Sequence, residues 1–119
     1  MTVSQNSGIE SFVRWAEVEP VEMLPGLDRR TLGCGEQAMI AEFRARAGVE
    51  VPLHTHPHEQ VGYVVSGQME LTIGSQTARC GPGDSYTIPG GVPHGARFLS
   101  ECVVIDCFSP PREDYRGGE

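Results

Sequence analysis

Glycine and proline cut this chain into short pieces, and that constrains the fold more than any other feature. The 15 glycines and 9 prolines are spread along all 119 residues and do not pool in a linker. Between them lie brief runs that are apolar or alternate apolar with polar, the pattern of half-buried strands. The clearest cover residues 37–44, 60–65, 68–73, 85–88 and 102–108. Val65-Ser66-Gly67-Gln68, Ile73-Gly74-Ser75-Gln76 and Gly81-Pro82-Gly83-Asp84 read as tight turns between them. Helical periodicity is weak. Residues 11–18 have room for one or two helical turns with Trp15 on the apolar side, and Pro20 ends them. Many short strands at regular spacing predict an all-β domain, closed or sandwiched.

The histidines are concentrated in a way this architecture makes useful. Three of the four, His54, His56 and His58, fall within five positions, and His94 follows a Pro/Gly-rich turn. Along an extended strand, side chains alternate faces, so His54, His56, His58 and Gln60 share one face and Glu59 takes the other. Imidazoles two residues apart are adjacent on that face, which suits two bonds of about 2.0–2.2 Å to one ion. Pro57 interrupts the strand assumed here, so His58 is read as a flanking or cavity residue.

Charge and length narrow the partners. A formal net charge of -7 disfavours nucleic acid, whose phosphates need a basic face. No apolar stretch reaches membrane-spanning length, and residues 1–10 are polar without the apolar core of a signal peptide. The expectation is a cytoplasmic protein. Cys34, Cys80, Cys102 and Cys107 have no CxxC spacing and are expected to be free thiols used as small hydrophobes. A chain this short folds alone with little margin, which dimerisation relieves.

Two stretches together resemble the cupins. Gly48, His54, His56 and Gly67 fall at the spacings of the first cupin motif, with Gln60 where glutamate is usual. Gly83, Pro89, Gly91 and His94 fall at those of the second, with Phe98 where asparagine is usual. The resemblance spans residues 48–98. It implies a single-domain cupin β-barrel or jelly roll, a double-stranded β-helix. It also implies one divalent transition metal (Fe, Ni, Mn, Co or Zn) held by His54, His56, Gln60 and His94. On this reading residues 1–28 are an N-terminal extension carrying a short helix or strand. Residues 29–108 form the barrel, and 109–119 are a Pro-rich tail, extended or loosely ordered. Cupin resemblance also implies a homodimer, formed through strands around residues 29–44.

Glutamine in the ligand set matters because it cancels none of the cation's charge. Such a site favours anionic oxygen ligands and Lewis-acid chemistry, and departs from the two-His-one-carboxylate arrangement of non-haem iron oxygenases. Within the apolar run 102–108, Asp106 shares a strand face with Cys102, Val104 and Phe108. If that face lines the barrel, Asp106 is a proton-transfer group. From the pattern alone, an Asp that points outward or ends the strand is the favoured reading.

The segment from Asp106 through Phe108, Pro111 and Arg112 to Tyr115 resembles the C-terminal signature of KdgF-type cupins. These proteins linearise 4,5-unsaturated monouronates in pectin and alginate breakdown. The resemblance implies Asp106 as the proton-transfer residue, Arg112 as the group that grips the substrate, and Phe108, with His58, as pocket walls. The function implied is a non-redox, isomerase-like enzyme acting on a small anionic sugar acid. The alternatives are a metal-dependent ligand-binding or sensing module without turnover, and then a metal-dependent dioxygenase.

Overall fold

Ten strands form among the described residues, 10–118 of the computed structural model. They are β1 (Val21–Leu24), β2 (Leu27–Cys34), β3 (Met39–Ala45), β4 (Glu50–His54), β5 (Glu59–Ser66), β6 (Met69–Ile73), β7 (Gln76–Cys80), β8 (Ser85–Ile88), β9 (His94–Phe98) and β10 (Cys102–Ser109). They pair antiparallel in two sheets, ordered β1-β2-β3-β10-β5-β8 and β4-β9-β6-β7. Two facing antiparallel sheets in this order make a jelly roll, as the resemblance implies. The polar stretch 1–9 lies outside the described residues.

The core lies between the sheets because the strands alternate. On β10, Cys102, Val104, Asp106 and Phe108 are buried, while Val103, Ile105 and Cys107 are only half-buried. Val64 from β5 and Ile88 from β8 pack with Val104 in the same core. Each such side chain contributes about 1.5–3 kcal/mol by leaving water. Cys80 and Cys102 are buried and Cys34 and Cys107 half-buried, all four as free thiols.

Both ends of the chain differ from expectation. The six-stranded sheet begins at Val21, so β1 and the start of β2 belong to it. β2 was hidden in the sequence because Asp28, Arg29 and Arg30 break its apolar pattern. Trp15 sits in a single 3-10 turn, Trp15–Glu17, and is 43% exposed. Its indole N–H donates to Glu42 at 2.8 Å, and the Arg30 and Arg44 guanidiniums lie over its ring at 4.1 and 5.2 Å. It caps a charge cluster and does not enter the core. The segment after β10 is a 3-10 turn, Glu113–Gly118, and not loose chain. It is held because Tyr115 is buried against Phe43 and Phe108.

Candidate metal and proton-transfer site

A cavity of about 290 Å³ opens between the sheets. Its lining is mostly apolar, and its polar and charged side chains are His54, Gln60, Tyr86, His94, Asp106 and Arg112.

His54 ends β4 and His94 begins β9, and the two strands pair there in register. His56 lies in the link between β4 and β5, where Gly91 N–H donates to the His56 carbonyl at 2.8 Å. The expected continuous strand therefore stops at His54 and resumes at Glu59, as Pro57 requires. Convergence survives the break. Ligand atoms of His54, His56 and His94 all lie within 4.8 Å of one another. Glu59 is exposed and faces away. His58 is half-buried, packs its ring against His56 with centroids 5.5 Å apart, and does not line the cavity.

The tautomers fit a cation. Nδ1 of His54, His56 and His94 lies 2.9, 3.0 and 2.9 Å from the carbonyl oxygens of Pro52, His58 and Val92. A carbonyl only accepts, so each Nδ1 carries the proton and each Nε2 presents a lone pair. His94 Nε2 is buried with no hydrogen-bond partner. Gln60 Oε1 stands 3.1 Å from His56 Nε2, so two acceptors face each other. A positive ion among them reconciles that arrangement. Burial, and then the nearby Arg112 charge, lower the basicity of His56. Burial lowers that of His94 as well. Both stay neutral, as ligands must.

Beside this cluster sits the acid. Asp106 is 4% exposed, and burial pushes its carboxyl up to about 6, against hydrogen bonds from Gln60 and Tyr86 that pull it down. Tyr86 donates its hydroxyl to Asp106 Oδ1 at 2.8 Å. Gln60 thus turns its oxygen to the histidines and its amide N–H to Asp106. A glutamate at 60 would set two carboxylates against each other. Gly62 opposes Asp106 on β10 and Tyr86 on β8. Any Cβ there would run into the Tyr86 ring and Asp106 Oδ1. Phe108 is 1% exposed and meets His56 edge-on, centroids 5.8 Å apart. Arg112 reaches the cavity from the segment after β10.

Tyr86 and Gly62 were not singled out from the sequence, and Tyr115 was named only as the end of a signature segment, without a role. Tyr86 lay on an expected strand as an ordinary aromatic, and only its partner across two strands reveals its role. The signal available for Gly62 was a glycine inside a strand pattern, which marks close approach.

The profile of the family described as "Cupin domain" matches residues 41–108. The pectin degradation protein KdgF of Dickeya dadantii is 30% identical over 96 residues, covering 79% of this chain and 87% of that protein. Among solved structures, an RmlC-like cupin from Shewanella frigidimarina superposes with a TM-score of 0.85 at 34% identity, over 89% of this chain and 96% of the other. KdgF from Halomonas sp. superposes with a TM-score of 0.83 at 33% identity, over 88% and 97%. The chain belongs to the cupin family.

Proposed function

We propose that this cupin is a metal-dependent, non-redox enzyme that opens and ketonises 4,5-unsaturated monouronates. The observation that carries this reading is Asp106, a buried carboxyl raised to about 6, in one cavity with His54, His94 and the Arg112 guanidinium, the two imidazoles converging with that of His56. Likeness to two KdgF proteins at 30% and 33% identity, over most of the chain, supports the substrate class.

The reaction is an isomerisation. The bond from C1 to the ring oxygen breaks, and the C1 hydroxyl gives up its proton as the aldehyde forms. The ring oxygen is left as an enol on C5. That enol then loses its proton while C4 gains one, giving the ketone. Each stage moves protons without an oxidant or reductant, and a carboxyl poised near neutrality both accepts and donates them. Asp106 is assigned that role. Arg112 pairs with the uronate carboxylate. Phe108 closes the wall beside both. His54, His56, Gln60 and His94 would hold a divalent ion, which supplies Lewis acidity towards the anionic oxygens.

The test is loss of alkene absorbance from an unsaturated galacturonate. The rate should rise with protein, fall to background after chelation, and return on adding a divalent transition metal. His94→Ala should lose bound metal, read by elemental analysis, and the rate with it. Decay of the sugar at the same rate with and without metal-loaded protein would remove the reading.

The outer face of the larger sheet bears on the expected homodimer. Ile40 on β3 and Val61 on β5 both register with Cys107 on β10, and Tyr63 registers with Ile105. Ile40, Val61, Tyr63 and Val65 are 41–49% exposed, an apolar strip that a second copy would cover. Within the expected range 29–44, Ile40 belongs to this strip, whereas Arg29 is buried. Wild-type protein should sediment as a dimer and Val61→Asp as a monomer. A monomeric wild type would rule this face out.

A further inference from the structure

The geometry points to Asp114 and Tyr115 as positioning residues that fix the Arg112 guanidinium with one hydrogen-bonding edge turned to the cavity, so that it selects a carboxylate. This deepens the reading above and rests on it only for the identity of the ligand.

A guanidinium on a flexible stem loses entropy whenever it grips an anion, unless its orientation is already set. Here it is set three times over. Arg112 Nε donates to Asp114 Oδ1 at 3.3 Å, and Nη2 donates to Oδ2 at 3.0 Å. Its Cζ lies 4.0 Å from the Tyr115 ring centroid and 5.4 Å from that of Phe108. The Arg112 side chain is only 15% exposed, although its partner Asp114 is 59% exposed.

Those bonds consume one edge of the fork. Nη1 and the second hydrogen of Nη2 form the other edge, which suits the two oxygens of a carboxylate. Arg112 lines the cavity, and its charge is felt at His56 and His94.

The ring that carries the guanidinium is itself anchored in the sheet. Thr31 on β2 donates its hydroxyl to the Tyr115 carbonyl at 2.7 Å. Arg29, also on β2, has its Cζ 4.4 Å from the same ring. Tyr115 N–H donates to the Arg112 carbonyl at 3.0 Å and closes the turn. The short turn after β10 thereby transmits the rigidity of the sheet to a side chain that would otherwise wander.

The experiment compares Asp114→Asn, Tyr115→Leu and Tyr115→Phe in metal-loaded full-length protein. With unsaturated galacturonate, Asp114→Asn and Tyr115→Leu should raise KM about tenfold while kcat changes little, since they weaken orientation and not proton transfer. Tyr115→Phe keeps the ring and should match wild type. Independently of turnover, the guanidinium Nε–H signal of Arg112, identified by its loss in Arg112→Lys, should exchange slowly in wild type and Tyr115→Phe. It should exchange fast in Asp114→Asn. Wild-type KM and slow exchange in Asp114→Asn would overturn the inference. So would Tyr115→Phe behaving like Tyr115→Leu, which would move the role to the hydroxyl. If Tyr115→Leu fails to fold, Asp114→Asn at an exposed side chain decides alone. A wild type inactive on uronates would remove the substrate reading, while the exchange measurement still tests the clamp.

Discussion

Asp106→Asn is expected to cut uronate turnover by about 10²–10⁴-fold, the usual worth of a general acid–base group. The same substitution should make the metal-free protein more stable near neutral pH. The folded carboxyl titrates at about 6 against an ordinary value of 3.8, with burial as the cause. Below 3.8 both folded and unfolded chains hold the proton, and no penalty exists. Between 3.8 and 6 the unfolded chain releases it first, so stability falls as pH rises. Above 6 the full penalty stands, about 3 kcal/mol.

Asparagine removes that penalty but gives up an acceptor for the Gln60 amide, a loss of about 1 kcal/mol. The net gain near pH 7.5 is therefore about 2 kcal/mol, and near pH 4 little or none. Melting curves in chelator at the two pH values measure it. Equal effects at both would mean that Asp106 is not held protonated by burial. On the proposed function, Asp106 would be kept for its chemistry at a cost to the fold.

Gly62→Ala should be among the most damaging single methyls at the described glycines. Glycine at 62 leaves room for the Tyr86 ring and the Asp106 carboxyl to meet between β8 and β10. Both groups are buried, so neither can retreat into solvent. Overpacking of this kind costs about 3 kcal/mol at the upper end, which lowers the melting temperature by roughly 10 °C in a domain of this size. On the proposed function, protein that still folds should keep metal bound through His54, His56 and His94, which lie on other elements, although the fourth ligand assigned, Gln60, shares β5 with Gly62. It should lose turnover, because the carboxyl has been displaced. An alanine variant with wild-type melting and wild-type rate would show that the pair does not depend on this gap.

The two substitutions probe different layers of legibility. Strict alternation on β10 put Asp106 on one face with Cys102, Val104 and Phe108, but that this face lines the barrel followed from the resemblance and not from the pattern. Gly62 was not readable, because its meaning lies in residues 24 and 44 positions further along the chain. Tyr115 sat in a segment read as a loose tail, since two prolines and late glycines outweigh one aromatic in any local count. Its burial against Phe43 and Phe108 arises from strands that close around it. β7 has four of its five residues exposed and lies at a sheet edge, so no apolar rhythm announced it.

Sequence alone determined the fold class and pointed to the three histidines that the structure brings together. Histidine spacing, turn residues and strand alternation are local properties, written in adjacent positions. Only the tertiary structure decided which lone pairs face one another, that Gln60 spans the histidines and Asp106, and that Arg112 is held by Asp114 and Tyr115. Those relations depend on backbone segments far apart in sequence being pressed together by a shared apolar core. Distances across that core are fixed by packing, which no local pattern encodes.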